Sequence, residues 1–269
     1  MTDLADPLSI NDLRAAIWSG RIHPLYQPVV RIADGRLAGF EALARLDHPE
    51  RGMMPPDLFV PQIEAAGLAW TLTEAVIRRV FNDVRDGRLD AMDAWVAINV
   101  PLDVMLDAGA LAWFERTRLA ARIAAERVTI ELTESLAVTR VDVLGRAIRQ
   151  LRGIGYRLTI DDVGPTMRDH RALLALPFSG LKLDISVVRG DGSDVRGDGS
   201  DDAFLRETIR AARAAGLSIT AEGVETEAIW ARMAAFGVEE AQGFLIGRPL
   251  PIEGIQAWHS RWTHKAGLG

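Results

Sequence analysis

Eight residues in this chain could do chemistry together: Glu41, Asn99, Glu131, Asp161, Asp162, Lys182, Glu222 and Gln242. Each lies in or at the end of a short apolar or β-branched run, and each is an oxygen ligand, a proton donor or an amide. A single polar residue at a strand end is ordinary, because a loop begins there. The set is not ordinary. Five carboxylates gathered in one place repel one another and acquire raised pKa values unless cations neutralise them. Carboxylates with an amide oxygen, and without His or Cys, select hard divalent ions such as Mg2+, Mn2+ or Ca2+. This many acids suits two ions, and a two-metal site polarises a phosphoryl group and generates hydroxide for in-line attack. For Lys182 the plain alternative is a surface cation, which its strand-end place beside the acids makes the weaker reading.

The elements that must position these residues follow from hydrophobic period. Short runs begin at Leu25 (LYQPVV), Leu37 (LAGFEAL), Trp95 (WVAIN), Val128 (VTIE), Arg157 (RLTID), Gly180 (GLKLD), Leu217 (LSITAE) and Glu240 (EAQGF). Stretches of helical spacing lie between most of them, several ending at a glycine stop (Gly155, Gly216, Gly237). Eight strands with interleaved helices over this length predict an α/β fold, a TIM-like (β/α)8 barrel. In that fold the active site forms at the C-terminal ends of the strands. The first two runs are separated only by RIADGR, whose Asp34-Gly35 signals a hairpin, so one antiparallel strand is expected.

Composition excludes several classes. The chain has 269 residues, a quarter of them charged, and a mean hydropathy near zero, the balance of a globular domain that buries about three-quarters of its unfolded surface. One domain over 1–269 is expected, with an N-terminal helix at about 10–20. Without cysteine there is no disulfide, thiolate metal site or thiol nucleophile. The five histidines (His23, His48, His170, His259, His264) are too scattered for a metal cluster. A net charge of −6 with no basic block argues against a nucleic-acid polymer as partner. The acidic N-terminus lacks an apolar signal core, and no run approaches the roughly 18 apolar residues of a membrane span, so the expected location is cytoplasmic. The 188–201 segment, with VRGDGSD twice in tandem, reads as a flexible surface loop. Of seven tryptophans, Trp18, Trp70, Trp113 and Trp230 fall in helical segments and read mostly as helix-to-barrel core.

The motifs also carry a resemblance. YQPVV (26–30), EALAR (41–45), HPERGMMPP (48–56), AINV around Asn99, ELTES (131–135), DDVG (161–164), LKLD (181–184), AEGVET (221–226) and QGFLIGRPL (242–250) stand in order along nearly the whole chain. In this the sequence resembles the EAL domain family of cyclic di-GMP phosphodiesterases. The resemblance implies a barrel with one antiparallel strand and hydrolysis of cyclic di-GMP to 5′-pGpG, with two Mg2+ or Mn2+ ions per site and Ca2+ inhibitory. It implies that Glu41, Asn99, Glu131 and Asp161 hold one ion, and that Asp161 bridges to a second held with Asp162 and Glu222. Lys182 would contact the attacking water and Gln242 would help orient it. Gln27 and Leu43 would touch substrate, although Gln27 could instead satisfy backbone near the barrel floor. Arg45, on the same strand face as Glu41, offers a guanidinium fork for phosphate.

Glu134 has two readings that can hold together: an acid at a helix N-terminus, or, by resemblance, the anchor of the loop after Asp162. That loop departs from the family pattern D-D-F-G-T-G-Y-S-S-L. Here residues 161–170 read DDVGPTMRDH, with Thr166 for the second glycine, Met167 for the aromatic, and Arg168 and Asp169 for the serines. Losing a glycine beside a proline forces another loop conformation. The resemblance ties this loop to metal binding and dimer contacts, so activity is expected to be low or switched by a partner: a homodimer mate or a separate regulatory protein. The second reading is a catalytically silent cyclic di-GMP receptor or interaction module, although every ligand acid is retained. A two-carboxylate glycosidase is dropped, since the chain has only Tyr26 and Tyr156 as tyrosines and too many acids. No cyclase, receiver or sensor signature is expected, leaving a stand-alone effector or one signalled by another chain.

Overall fold

The computed structural model describes residues 8–86, 89, 92–133, 141–165, 167, 170–189 and 200–267. Its strands are β1 (Ile22–Arg31), β2 (Leu37–His48), β3 (Gly52–Met54), β4 (Trp95–Pro101), β5 (Val128–Thr133), β6 (Arg157–Val163), β7 (Gly180–Leu183), β8 (Ser218–Ala221) and β9 (Glu240–Gln242). They run in the order β1-β9-β8-β7-β6-β5-β4-β2-β3, and β1 also pairs with β2, which closes eight of them into a barrel. β1 is antiparallel to both β2 and β9, while the pairings from β2 through β4 to β9 are parallel. The expected TIM-like barrel with one reversed strand is therefore present. The sequence reading missed β3, a three-residue strand antiparallel to the end of β2. It is too short to show a period.

The helices are α1 (Ile10–Trp18), α2 (Val60–Ala65), α3 (Ala69–Arg85), α4 (Leu102–Met105), α5 (Ala108–Ala120), α6 (Val141–Ile154), α7 (His170–Leu174), α8 (Ile185–Arg189), α9 (Ser200–Ala214), α10 (Glu227–Phe236) and α11 (Ile255–Lys265). α6 shows why they form: Leu144, Ala147, Ile148 and Leu151 recur at helical spacing and are buried. Each buried Leu or Ile contributes about 1.5–3 kcal/mol relative to exposure. Of the loop expected over 188–201, Val188 and Arg189 instead close α8 and Ser200 and Asp201 open α9, while residues 190–199 lie outside the described residues. Trp18 is the exception among the tryptophans expected mostly in the core. At the last position of α1 it turns away from the buried face of Leu13, Ala16 and Ile17 and is 77% exposed.

The barrel floor is closed by Trp95, which lies under the Arg157 guanidinium at 4.9 Å. A Cβ on Gly39 would stand 2.1 Å from the Trp95 ring, so only glycine lets the indole sit there. Glu131 and Lys182 form the upper wall of a cavity of about 10 Å³ inside the barrel, with Thr129, Thr159 and Thr220. The chain thus places a polar layer directly beneath the site.

Candidate active site

Glu41 on β2, Asn99 on β4, Glu131 on β5, Asp161 and Asp162 on β6, Lys182 on β7, Glu222 just beyond β8 and Gln242 on β9 converge at the C-terminal ends of the parallel strands. Lys182 stands at the centre and is 2% exposed. Its Nζ lies 3.1 Å from Glu41 Oε2, Glu131 Oε2 and Asp161 Oδ1, and 2.7 Å from Glu222 Oε1. An ammonium has three protons for these four carboxylates. Glu41 and Glu131 accept hydrogen bonds from it, whereas Asp161 Oδ1, though as close, is left without a hydrogen-bond partner of good geometry among the described residues. Glu41 is the best-supported acid, with Asn99 Nδ2 donating to Oε1 at 2.8 Å and Gln242 Nε2 to Oε2 at 2.7 Å.

The electrostatics follow this arrangement. Burial disfavours the Lys182 ammonium, but Asp161, Glu131, Glu222 and Glu41 outweigh it and hold its pKa well above the ordinary lysine value. Burial also raises Glu41, yet Lys182 and the two amide donors bring it below the usual carboxylate range. The other acids go the opposite way. Burial, opposed by Lys182 and reinforced by neighbouring carboxylates, pushes Glu131 well up and Asp161 up. Glu222 is pushed to about 8 by burial and by the charges of Asp161 and Glu41. Desolvation and Asp161 push Asp162 to about 6.

Two groups of acids fit a hard cation, and they share one member. Oxygens of Glu41, Glu131 and Asp161 lie within 4.8 Å of one another, as do oxygens of Asp161, Asp162 and Glu222. One ammonium against five carboxylates leaves four negative charges, the charge that two divalent cations cancel. Asn99 spends its amide N–H on Glu41 and keeps its carbonyl oxygen as a neutral ligand. The donor set is all oxygen, which suits Mg2+, Mn2+ or Ca2+. Asp161 and Asp162 would face opposite sides of a regular strand. Asp162 instead adopts a left-handed conformation (φ +53°), and the β6–β7 register shifts between Ile160 and Val163. Asp tolerates that conformation, and the kink brings both carboxylates to one cavity.

That cavity, of about 480 Å³, opens above the cluster and is lined by Gln27, Leu43, Asn99, Asp161, Glu222 and Gln242 among others. Glu131 and Lys182 lie below it. Arg45 is placed differently. It is outside the cavity wall, half-buried, and gives Nη1 to the Ala44 carbonyl at 2.8 Å, with no carboxylate within ion-pair distance among the described residues. Glu134, the expected loop anchor, lies outside the described residues, as do Thr166, Arg168 and Asp169. Met167, standing where the family pattern has an aromatic, packs against the core. The sequence reading missed the opposite wall, where Asp57, Val60, Glu64 and Thr73 line the cavity from the 56–76 segment. Its signal was the Pro55-Pro56-Asp57 turn followed by Pro61, a break and restart just after the second strand.

The loops bearing Glu222 and Gln242 are tied backbone to backbone: Val224 N donates to Gln242 O at 2.9 Å, and Leu245 N to Val224 O at 3.1 Å. A Cβ on Gly243 would stand 2.2 Å from Val224 O. Gly243→Ala is therefore expected to lower stability by about 1–3 kcal/mol and to loosen both loops. Thermal melts of wild type and variant check the first effect, and unchanged melting would refute this account of the glycine.

Fold and site together define a class: a barrel protein with a buried carboxylate cluster that could hold metal ions at the C-terminal ends of its parallel strands. The sequence profile of the EAL domain matches residues 10–249, and the chain belongs to the EAL domain family. It is 32% identical over 249 residues to the bifunctional diguanylate cyclase/cyclic di-GMP phosphodiesterase MucR of Pseudomonas aeruginosa, covering 92% of this chain and 36% of MucR. An uncharacterized signaling protein of Caulobacter vibrioides is 30% identical over 252 residues, 92% of this chain and 30% of that protein. The chain thus spans about a third of the length of these curated relatives. The structure of the MucR phosphodiesterase in complex with c-di-GMP superposes with a TM-score of 0.82 at 31% identity, covering 91% of this chain and 98% of that one. Among the described residues no helix is long and apolar enough to cross a membrane.

Proposed function

We propose that this chain is a metal-dependent phosphodiesterase that hydrolyses cyclic di-GMP to 5′-pGpG. The observation that carries the reading is the pair of acid groups sharing Asp161 around a buried, charged Lys182. MucR, similar over most of this chain, is by name such a phosphodiesterase and was solved with c-di-GMP. Glu41, Asn99, Glu131 and Asp161 would hold one ion, and Asp161, Asp162 and Glu222 the other. Mg2+ or Mn2+ there supplies Lewis-acid polarisation of the phosphoryl group and lowers the pKa of water, and Ca2+ is expected to inhibit. The protein's own groups do the rest. Lys182, held cationic by its carboxylates, stabilises negative charge that develops in front of it. Gln242, fixed by Glu41, orients the attacking water. Gln27 and Leu43 line the cavity where the dinucleotide would sit. Arg45, a half-buried cation with no carboxylate within ion-pair distance among the described residues, suits a phosphate at the cavity rim. Low or switched activity, with a homodimer mate or a separate regulatory chain as the switch, and a cytoplasmic location are parts of the same proposal.

A second reading, a silent receptor, is favoured by Pro165 and Met167 in the altered loop. A product assay decides between the two. Purified protein is incubated with cyclic di-GMP and Mn2+, and the products are separated by chromatography, with Glu41→Ala in parallel. Conversion to pGpG by wild type alone is expected. Retained binding without conversion would establish the receptor.

A further inference from the structure

We infer that Gln27 is a positioning residue that acts through Gln242, by fixing which way the Gln242 amide points. The inference rests on the phosphodiesterase reading for its kinetic consequence but not for its geometry. Three adjacent strands bring the groups together. Gln27 on β1 is the cross-strand partner of Glu41 on β2, and Val29, two residues on and facing the same side, is the partner of Gln242 on β9. Because β1 runs backwards through the barrel, Gln27 reaches the site from the middle of its strand. A survey of strand ends therefore cannot single it out.

The polarity of the chain of amides is set at both ends by groups that can only accept. Gln27 Nε2 donates to the Gly247 carbonyl at 3.2 Å, so its Oε1 faces the other way. That oxygen accepts from Gln242 Nε2 at 3.0 Å. The same nitrogen donates to the Glu41 carboxylate at 2.7 Å. Both protons of the Gln242 amide are thereby used. A flipped amide at either glutamine would set oxygen against oxygen, so the assignment does not depend on choosing between similar atoms. Gly247 is itself held: a Cβ on it would stand 2.8 Å from Pro28 Cγ and 2.9 Å from Trp258 Nε1.

What remains is Gln242 Oε1, buried and without a hydrogen-bond partner among the described residues. A buried acceptor is costly unless something donates to it. Gln242 lines the cavity above the acids, so the donor this oxygen awaits is an O–H entering the site, a water or a hydroxyl of the bound ligand. Gln27 thus determines that Gln242 presents an acceptor, held in one orientation. Without Gln27, one Gln242 N–H loses its partner, and the side chain is free to rotate toward another acceptor.

The test uses the whole 269-residue chain with Gln27→Met, which keeps length and apolar packing but removes both amide hydrogen bonds. A crystal structure of this variant without added ligand is expected to show the Gln242 side chain displaced, with its bond to Glu41 broken or rotated. An unmoved Gln242 overturns the inference, whether or not the protein hydrolyses anything. In the product assay with Mn2+, Gln27→Met should lower kcat about 10-fold, the size of one misdirected hydrogen bond, and leave KM within about 2-fold. In a Gln242→Ala background the same change should have little further effect. A raised KM with unchanged kcat, or an equal loss in both backgrounds, would mean direct substrate contact and would overturn it. An inactive wild type would instead count against the phosphodiesterase reading, with the crystal structure still deciding the role of Gln27.

Discussion

Lys182→Met is expected to abolish most hydrolysis and to make the metal-free protein strongly pH-sensitive. Lys182 is the one cation within 4 Å of Glu41, Glu131, Asp161 and Glu222 among the described residues. Removing one partner of a buried ion pair costs about 3–5 kcal/mol, because the remaining charge is stranded. Here four carboxylates lose their counter-ion together, and at neutral pH they respond by binding protons. The variant should therefore be markedly less stable than wild type at pH 8 and closer to it at pH 5. Activity with saturating Mn2+ should fall by about 10²–10³-fold, the usual cost of removing a preorganised charge-stabilising donor. Lys182→Arg should rescue poorly, since a site only 2% exposed has no room for a guanidinium. Thermal melts at both pH values and the product assay check these outcomes. A rate within 10-fold of wild type, or a stability loss that does not change with pH, would show that Lys182 is not the charge centre.

Divalent-ion binding should release protons and strengthen as pH rises from about 6 to 8. The sign follows from the shifts. Glu222 sits at about 8 and Asp162 at about 6, each above its ordinary value. The metal-free folded chain thus holds protons that the unfolded chain has already lost between about pH 4 and pH 8. Its stability contribution from these groups therefore falls as pH rises through that window. An ion needs the ionised carboxylates, so it displaces those protons, Glu222 contributing most of one at pH 7 and the raised Glu131 and Asp161 adding to it. Calorimetric titration of Mn2+ in buffers of different ionisation enthalpy measures the release directly. The stabilisation by Mn2+ should grow over the same window in thermal melts. No proton release at pH 7, or affinity independent of pH between 6 and 8, would place the ion elsewhere.

The strands, the hairpin that reverses the first of them, and the acids at the strand ends were legible from the residues alone. Each depends on local period or on a residue's place at the end of a run. A hydrophobic run stopped by a carboxylate reads the same before and after folding, and nine motifs in order identified the family that carries them. What the chain could not show locally is how the strands close. Barrel closure places Lys182 amid four acids contributed by β2, β5, β6 and the end of β8, partners separated by as many as 141 residues. Pairing register carries Gln27 opposite Glu41 and next to Gln242, and no spacing along the sequence encodes that register. The double aspartate is the clearest case. Alternation along a strand would send Asp161 and Asp162 to opposite faces, and only the left-handed turn at Asp162 turns both toward one cavity. Trp18 shows the converse: its helix was foreseen, but whether an indole meets the barrel or the solvent depends on which way the helix docks. Residue types are local and announce the chemistry, whereas distances between carboxylates arise from non-local pairing and exist only once the sheet has closed.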